Sequence, residues 1–148
     1  MVGLIAAAVL AWQAVVWFGD RQDEDRRDEA IAVARAQVLD LTTLDSETID
    51  AKLDAMGKRL SGAFKRQFEG FAQTFSDVVN DDKIRATGEL KSVAVDQYDG
   101  EAASILVATS AEVTHGDAKR ATTKDYRMKV DLEHKDAGWL ITGMEFVG

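Results

Sequence analysis

The residues able to do chemistry in this sequence are few and scattered. There are two histidines, His115 and His134, and no cysteine. A thiolate metal site, a disulfide framework and a cysteine nucleophile are excluded, and two distant histidines are a poor start for a zinc site. No Gly-x-Ser-x-Gly, phosphate-binding glycine loop or His-x-x-x-His pair occurs. The remaining option is a carboxylate base inside an apolar interior, with a tyrosine or protonated acid opposite it. The acids fit this badly. Asp131 and Glu133 alternate with apolar positions and so face outward, and Asp96 and Tyr98 lie beside the Asp99-Gly100 turn. His134 continues the inward phase of its strand next to a turn, which reads as a satisfied edge histidine rather than a base. His115 precedes Gly116 and reads as an exposed loop residue. No catalytic residue, metal ligand or cofactor site is expected, and the chain is expected not to be an enzyme.

Charge divides the chain in two. It has 148 residues, a prior for one domain, with 26 acidic against 18 basic side chains and a net charge of −8. That balance argues against a nucleic-acid partner, which needs a basic face. Residues Met1 to Gly19 carry no charge, and Gln13 is their one polar side chain. Val2 to Phe18 as a helix spans about 26 Å at ~1.5 Å per residue, near the ~30 Å hydrocarbon core. Trp17 and Phe18 then meet the charged run, as in an interfacial aromatic belt. No basic residue precedes the apolar stretch, unlike a signal peptide. A transmembrane anchor over residues 1–19 is therefore expected. Its small face, Gly3, Ala7, Ala11 and Ala14, with Gln13, is a candidate contact for another membrane helix. From Asp20 to Glu29, six acids face three arginines, net −3. Most simply this run is a solvated face. Arg21, Arg26 and Arg27 are interleaved with those acids, so charge alone leaves the orientation open.

The chain beyond the anchor must supply the scaffold. Residues 20–44 read as a juxtamembrane stalk continuing into a first helix, with Ile31, Ala34, Val38 and Leu41 at helical spacing. Asp45 or Ser46 can cap a second helix carrying Ile49, Leu53, Met56 and Leu60. After Ser61-Gly62, a third helix runs to about Asn80 with the stripe Phe64, Phe68, Phe71, Phe75 and Val78 or Val79. Residues 83–97 change from one alternating phase, Ile84 to Leu90, to the other, Val93 and Val95. A bulge is expected near Lys91-Ser92. Asp99-Gly100 signals a hairpin. The next strand places Ala103, Ile105, Val107, Thr109, Ala111 and Val113 on one face. The third alternates Tyr126, Met128, Val130 and Leu132 with charged residues, and Trp139 to Val147 closes the sheet. Three helices followed by four hairpin-connected strands make an α+β domain, helices on one face.

In order and spacing, these pieces resemble the actinobacterial Mce-associated (mammalian cell entry-associated) membrane proteins. The resemblance is carried by Ala34-Arg35, Leu41-Thr42-Thr43-Leu44-Asp45, Ser61-Gly62-Ala63-Phe64 with Phe68, Val93-Ala94-Val95, Ala102-Ala103 to Val107, Tyr126-Arg127-Met128 and Trp139-Leu140-Ile141. It covers nearly the whole chain. Ser61 stands where the family pattern has threonine. The resemblance implies a nuclear transport factor 2-like (cystatin-like) cone of three helices on a curved four-stranded antiparallel sheet. It implies a single-pass protein of the cytoplasmic membrane with its C-terminal domain extracytoplasmic. Its partners would be Mce transporter or permease subunits, and its role that of an accessory subunit in lipid or sterol import.

Two further readings share this architecture. A membrane-tethered lipid-binding module would hold a lipid in the cone, with Phe64, Phe68, Phe71, Phe75, Tyr126, Met128 and Trp139 as candidate cavity lining. The same side chains would equally serve as ordinary core, each burying about 1.5–3 kcal/mol of apolar surface. An assembly subunit of a conjugation-type secretion system would also carry an anchor and a similar cone. Residues 45–148 form the remainder of the domain in every case.

Overall fold

The computed structural model describes the backbone of residues 2–148 and the side chains of residues 19–148. One helix, α1, runs unbroken over Val2–Thr42. The expected anchor, with Gly3, Ala7, Ala11, Gln13 and Ala14, falls on side chains outside the described ones. Among the described residues no helix is long and apolar enough to cross a membrane. Residues 19–29 are exposed all round, and burial begins at Ala30. Ala30, Ala34 and Val38 are fully buried at helical spacing. Their small side chains bring α1 close onto strands β1 (Arg85–Tyr98) and β2 (Ala102–Thr114).

α2 spans Ile49–Lys58 and buries Ile49, Leu53 and Met56. Its start differs from expectation. Thr48 holds the N-cap position without a side-chain capping bond, while Asp45 Oδ1 accepts the Glu47 N–H at 2.9 Å. Asp45 therefore closes a turn ahead of the helix, the local bond that competes with helical capping. α3 spans Gly62–Asp81, and Gly62 has φ +63°, a left-handed position natural to glycine. Ser76 on α3 donates to Asp50 Oδ1 at 2.6 Å, clipping α3 to α2.

The strands, with β3 at Thr122–Lys135 and β4 at Gly138–Phe146, form an antiparallel meander in the order β1-β2-β3-β4. The helices lie on one face. The inward phases follow the sequence pattern: Ala103, Ile105, Val107, Thr109 and Ala111 from β2, and Met128, Val130 and Leu132 from β3. The expected bulge in β1 lies between Leu90 and Ser92. A second, between Val95 and Gln97, bends the strand further, and a third interrupts the β3–β4 register between Asp131 and Leu132. Bulges increase twist and curvature, so the sheet curls around the helices.

Two short bridges close the cone. Leu44 and Ala86 exchange backbone bonds of 2.8 Å each way, and Leu60 pairs with Ile141. The Leu41–Asp45 run is thus the junction where α1 ends and joins the sheet edge. Gly88 makes that junction feasible. A Cβ there would stand 2.3 Å from Thr42 Oγ1, and its own N–H donates to Thr43 Oγ1 at 3.2 Å.

Candidate functional site

Between α3 and the wide end of the sheet lies an open cleft of about 670 Å³. The 3.6-residue period of α3 puts Phe64, Phe68, Phe71 and Phe75 along one wall. Tyr126 and Met128, two apart on β3, stand on the sheet wall. The Phe68 and Phe71 rings meet edge to face at 5.9 Å, and Phe71 and Phe75 lie 5.5 Å apart. Across the cleft Tyr126 and Phe146 are 5.9 Å apart. Phe68 is buried, Phe64, Phe75 and Tyr126 are half-buried, and Phe71 and Phe146 are 45% and 68% exposed. The walls are nearly all apolar and the two exposed rings stand at the mouth.

Six of the seven residues read from the sequence as cavity lining border this cleft. Trp139 does not. It sits at the narrow end of the cone, 4% exposed, with Tyr98 at 6.1 Å and His134 edge-on at 5.2 Å. Register explains this. Trp139 pairs with His134, six residues along β3 from Met128, whereas Met144 and Phe146, opposite Val130 and Met128 beyond the bulge, reach the cleft. Trp139 Nε1 is buried without a hydrogen-bond partner among the described residues.

Sequence reasoning missed the floor. Gln37, Leu41, Thr42 and Leu44 from the end of α1 border the cleft together with Met56, Ile84 and Ala86. Gln37 is 1% exposed. Arg59 Nη1 donates to its Oε1 at 3.3 Å and to Asp40 Oδ2 at 2.6 Å. Thr42 turns its hydroxyl back onto Val38 O at 2.8 Å. A signal for Gln37 existed: it follows Ala30 and Ala34 on the inward face and adjoins Val38.

The ionisable groups near the cleft are held outside it or at its rim. Lys124 and His115 border it and are exposed. Glu145 borders it too, but Lys129 Nζ meets its carboxylate at 2.7 Å. That hydrogen bond, first among the causes, and nearby acidic charge raise the Lys129 pKa. Asp131 accepts from Ser104 Oγ on the other face. Among the described residues no group of three or more His, Asp or Glu is placed to hold a metal ion.

At the narrow end the exposed start of α1 is tied to the sheet. The Tyr98 hydroxyl lies 3.0 Å from Asp23 O and 3.1 Å from Asp23 Oδ1, to which it donates. Loss of solvent, then the bond to Asp23 and its charge, push the Tyr98 pKa up. In the adjoining turn Asp99 Oδ1 accepts the N–H groups of Ala102 and Glu101 at 2.7 and 2.9 Å. These bonds lower the Asp99 pKa.

The chain belongs to the family described as "Uncharacterized protein Rv1363c/MT1408-like", whose model matches residues 1–148. It is similar to Rv1363c of Mycobacterium tuberculosis H37Rv, 24% identical over 135 residues. The match takes in 90% of this chain and 52% of that protein, so the chain spans about half the length of its curated relative. Among solved structures it is similar to a periplasmic fragment of TraM, with TM-score 0.64 and 12% identity over 81% of this chain and 96% of that one. It is similar to VirB8 of Agrobacterium tumefaciens, with TM-score 0.64 and 13% identity over 85% and 92%. CagV, a VirB8 homologue of a type IV secretion system in Helicobacter pylori, matches with TM-score 0.64 and 8% identity over 81% and 97%. These likenesses establish the α+β cone.

Proposed function

We propose that this member of the Rv1363c/MT1408-like family is a non-catalytic, membrane-tethered assembly subunit of an envelope complex. In this reading the apolar N-terminal segment is a single-pass anchor in the cytoplasmic membrane, and the cone is extracytoplasmic and binds neighbouring subunits. The observation that carries it is the continuity of α1. The helix leaves the apolar segment, crosses eleven exposed residues, 19–29, and becomes the buried spine of the cone. At ~1.5 Å per residue those eleven residues hold the domain about 16 Å from the anchor. Cones of the same fold belong to proteins named as type IV secretion components, which supports assembly work of the conjugation type. The non-catalytic part rests on placement: Glu145, the carboxylate bordering the cleft, is ion-paired with Lys129, and Asp131 serves Ser104.

A second reading, an accessory role in Mce-type lipid or sterol import, is supported by the ordered runs from Ala34-Arg35 to Trp139-Leu140-Ile141. Its Leu41–Asp45 run is accounted for by the α1–sheet junction, so that run supports the fold more than the transporter.

Purification of the tagged full chain from native membranes, with its companions identified, separates the readings. Recovery of secretion-channel subunits is expected. Mce or permease subunits in their place would favour the second reading, and neither above background would overturn both. For orientation, Lys119→Cys introduces a lone thiol in an exposed turn. Labelling by an impermeant thiol reagent on intact cells is expected, and protection until lysis would place the cone inside.

A further inference from the structure

We propose that the cleft binds a neutral, largely apolar molecule carrying one carbonyl or hydroxyl oxygen, and that Gln37 is the residue that reads that oxygen. This holds whichever envelope complex the chain serves.

The shape comes first. About 670 Å³ lies within the ~300–1,000 Å³ range of small-molecule sites, which are concave, mainly apolar and supplied with a few fixed polar groups. Phe64, Phe68 and Phe75 face Tyr126 and Met128 across it. Phe71 and Phe146 stand at the mouth with 45% and 68% of their surface in water. An apolar body entering between them removes that surface from water, the main driving force for such binding.

Gln37 decides what the body carries. It is a buried amide bordering the cleft, and its orientation is fixed from behind. Arg59, which does not border the cleft, takes the Oε1 side at 3.3 Å. With Oε1 engaged, the amide function that remains is the Nε2 donor pair, which calls for an acceptor. Charge then selects among acceptors. The Arg59 guanidinium is already matched by Asp40 at 2.6 Å. The cationic side chain bordering the cleft, Lys124, is exposed at its rim, whereas Gln37 is buried at its floor. A carboxylate pushed to the floor would be an uncompensated buried charge, so a neutral oxygen is favoured. Thr42, its hydroxyl proton committed to Val38 O, adds no competing donor.

The test uses the full chain in lipid nanodiscs and a twelve-carbon methyl ketone with a terminal diazirine. After irradiation, adducts are mapped by mass spectrometry. Adducts are expected on Phe68, Phe71, Phe75, Met128 or Phe146. Unlabelled 2-dodecanone should compete about tenfold better than dodecane or dodecanoate, the equivalent of ~1.4 kcal/mol. Gln37→Leu keeps the volume and removes the donor. It should erase the ketone's advantage over dodecane while the adducts remain. Phe71→Ser, at a 45% exposed position at the mouth, should cut adduct yield severalfold. Adducts confined to the apolar N-terminal segment would overturn the site, because they would report partition into the bilayer. Equal competition by ketone, alkane and carboxylate in the parent protein would overturn the role of Gln37. A cleft blocked by a polypeptide segment, a second copy or another protein, seen as peptide cross-links to Phe71 and Phe146, would replace the small molecule as occupant.

Discussion

Gly88→Ala is a one-methyl change whose sign the structure determines. Gly88 is not among the residues with positive φ, so its backbone conformation admits alanine. Alanine in place of glycine usually stabilises such a site by about 0.4–1 kcal/mol, because the unfolded chain loses freedom. Here a Cβ would meet Thr42 Oγ1 at 2.3 Å, Thr42 Cβ at 2.9 Å and the Thr42 backbone carbon at 3.1 Å. None of these atoms moves freely. Thr42 is buried and its hydroxyl is bonded to Val38 O at 2.8 Å. The neighbouring Leu44–Ala86 pair is fixed by two 2.8 Å bonds, and Gly88 N–H is itself bonded to Thr43 Oγ1. Overpacking of this kind costs about 1–3 kcal/mol. Set against the entropic gain, the net expectation is about 1–2 kcal/mol of destabilisation, a fall of roughly 5–30-fold in the folded-to-unfolded ratio. Urea unfolding of the full chain in mild detergent, followed by far-ultraviolet circular dichroism, should show a lower midpoint at unchanged slope. Thr42→Ala removes the atom at 2.3 Å. The double variant should therefore be less destabilised than the sum of the singles by at least ~0.5 kcal/mol. An equal or higher midpoint for Gly88→Ala, or strict additivity with Thr42→Ala, would refute the close approach of α1 and β1.

Phe68→Ala removes the most buried ring of the cleft wall and should cost about 3–5 kcal/mol, read from the same titration; a cost under 1 kcal/mol would mean the ring is not core. Tyr98→Phe deletes the donor to Asp23 and should speed amide exchange within residues 19–29 severalfold, measured by hydrogen-exchange mass spectrometry; unchanged exchange would show that the stalk is not held there. Asp99 has a lowered folded pKa because its carboxylate accepts the Ala102 and Glu101 N–H groups. Its contribution is therefore present above the ordinary value of 3.8 and is lost as pH falls through the lower folded value. Asp99→Asn should loosen the β1–β2 turn at neutral pH, with variant and parent converging once the parent carboxylate is protonated. Backbone NMR of Ala102 across pH 2–7 checks this, and a parent shift centred at or above 3.8 would contradict it.

The parts of the fold legible in sequence were those where one period rules a whole element. β2 and β3 alternate without interruption, and their buried residues are the ones that the alternation picks out. The β1 phase change likewise marks the Leu90/Ser92 bulge. What was not legible depends on partners distant in sequence. The α3 stripe treats Phe64, Phe68, Phe71 and Phe75 as equivalent. The structure buries Phe68, Ser76 and Val79 and leaves Phe71 exposed, because α3 presses on α2 through Ser76 and Asp50 and leans off the wide end of the sheet. Trp139 shares its inward phase with Ile141. Its pairing with His134 sets it far along the sheet from Met128 at the cleft, and alternation within one strand does not reveal that register. Gln37 falls on the inward face by spacing, but its polarity argues against burial until Arg59, 22 residues away, is seen to hold its oxygen.

Gln37 also shows why the exposed start of α1 and the cleft are not independent parts. Asp23, Ala30, Ala34, Gln37 and Thr42 all lie on α1, with no proline in the chain and no glycine between Gly19 and Gly57. A helix without these breakers has no natural hinge. Ala30, Ala34 and Val38 fix its rotation against β1 and β2, since turning it would drive charged neighbours such as Arg35 into the core. The direction in which α1 leaves the cone is therefore set by the same packing that turns Gln37 toward the cleft. The Tyr98–Asp23 bond pins that direction a second time at the narrow end. A molecule seated on Gln37 and Thr42 thus contacts the element that orients the whole domain, while its mouth residues Phe71 and Phe146 belong to α3 and the end of β4. Filling the cleft would change the spacing between α3 and the sheet before it changed α1. The exposed apolar surface at Phe71 and Phe146 is accordingly the part of the cone most sensitive to occupancy, and the start of α1 the least.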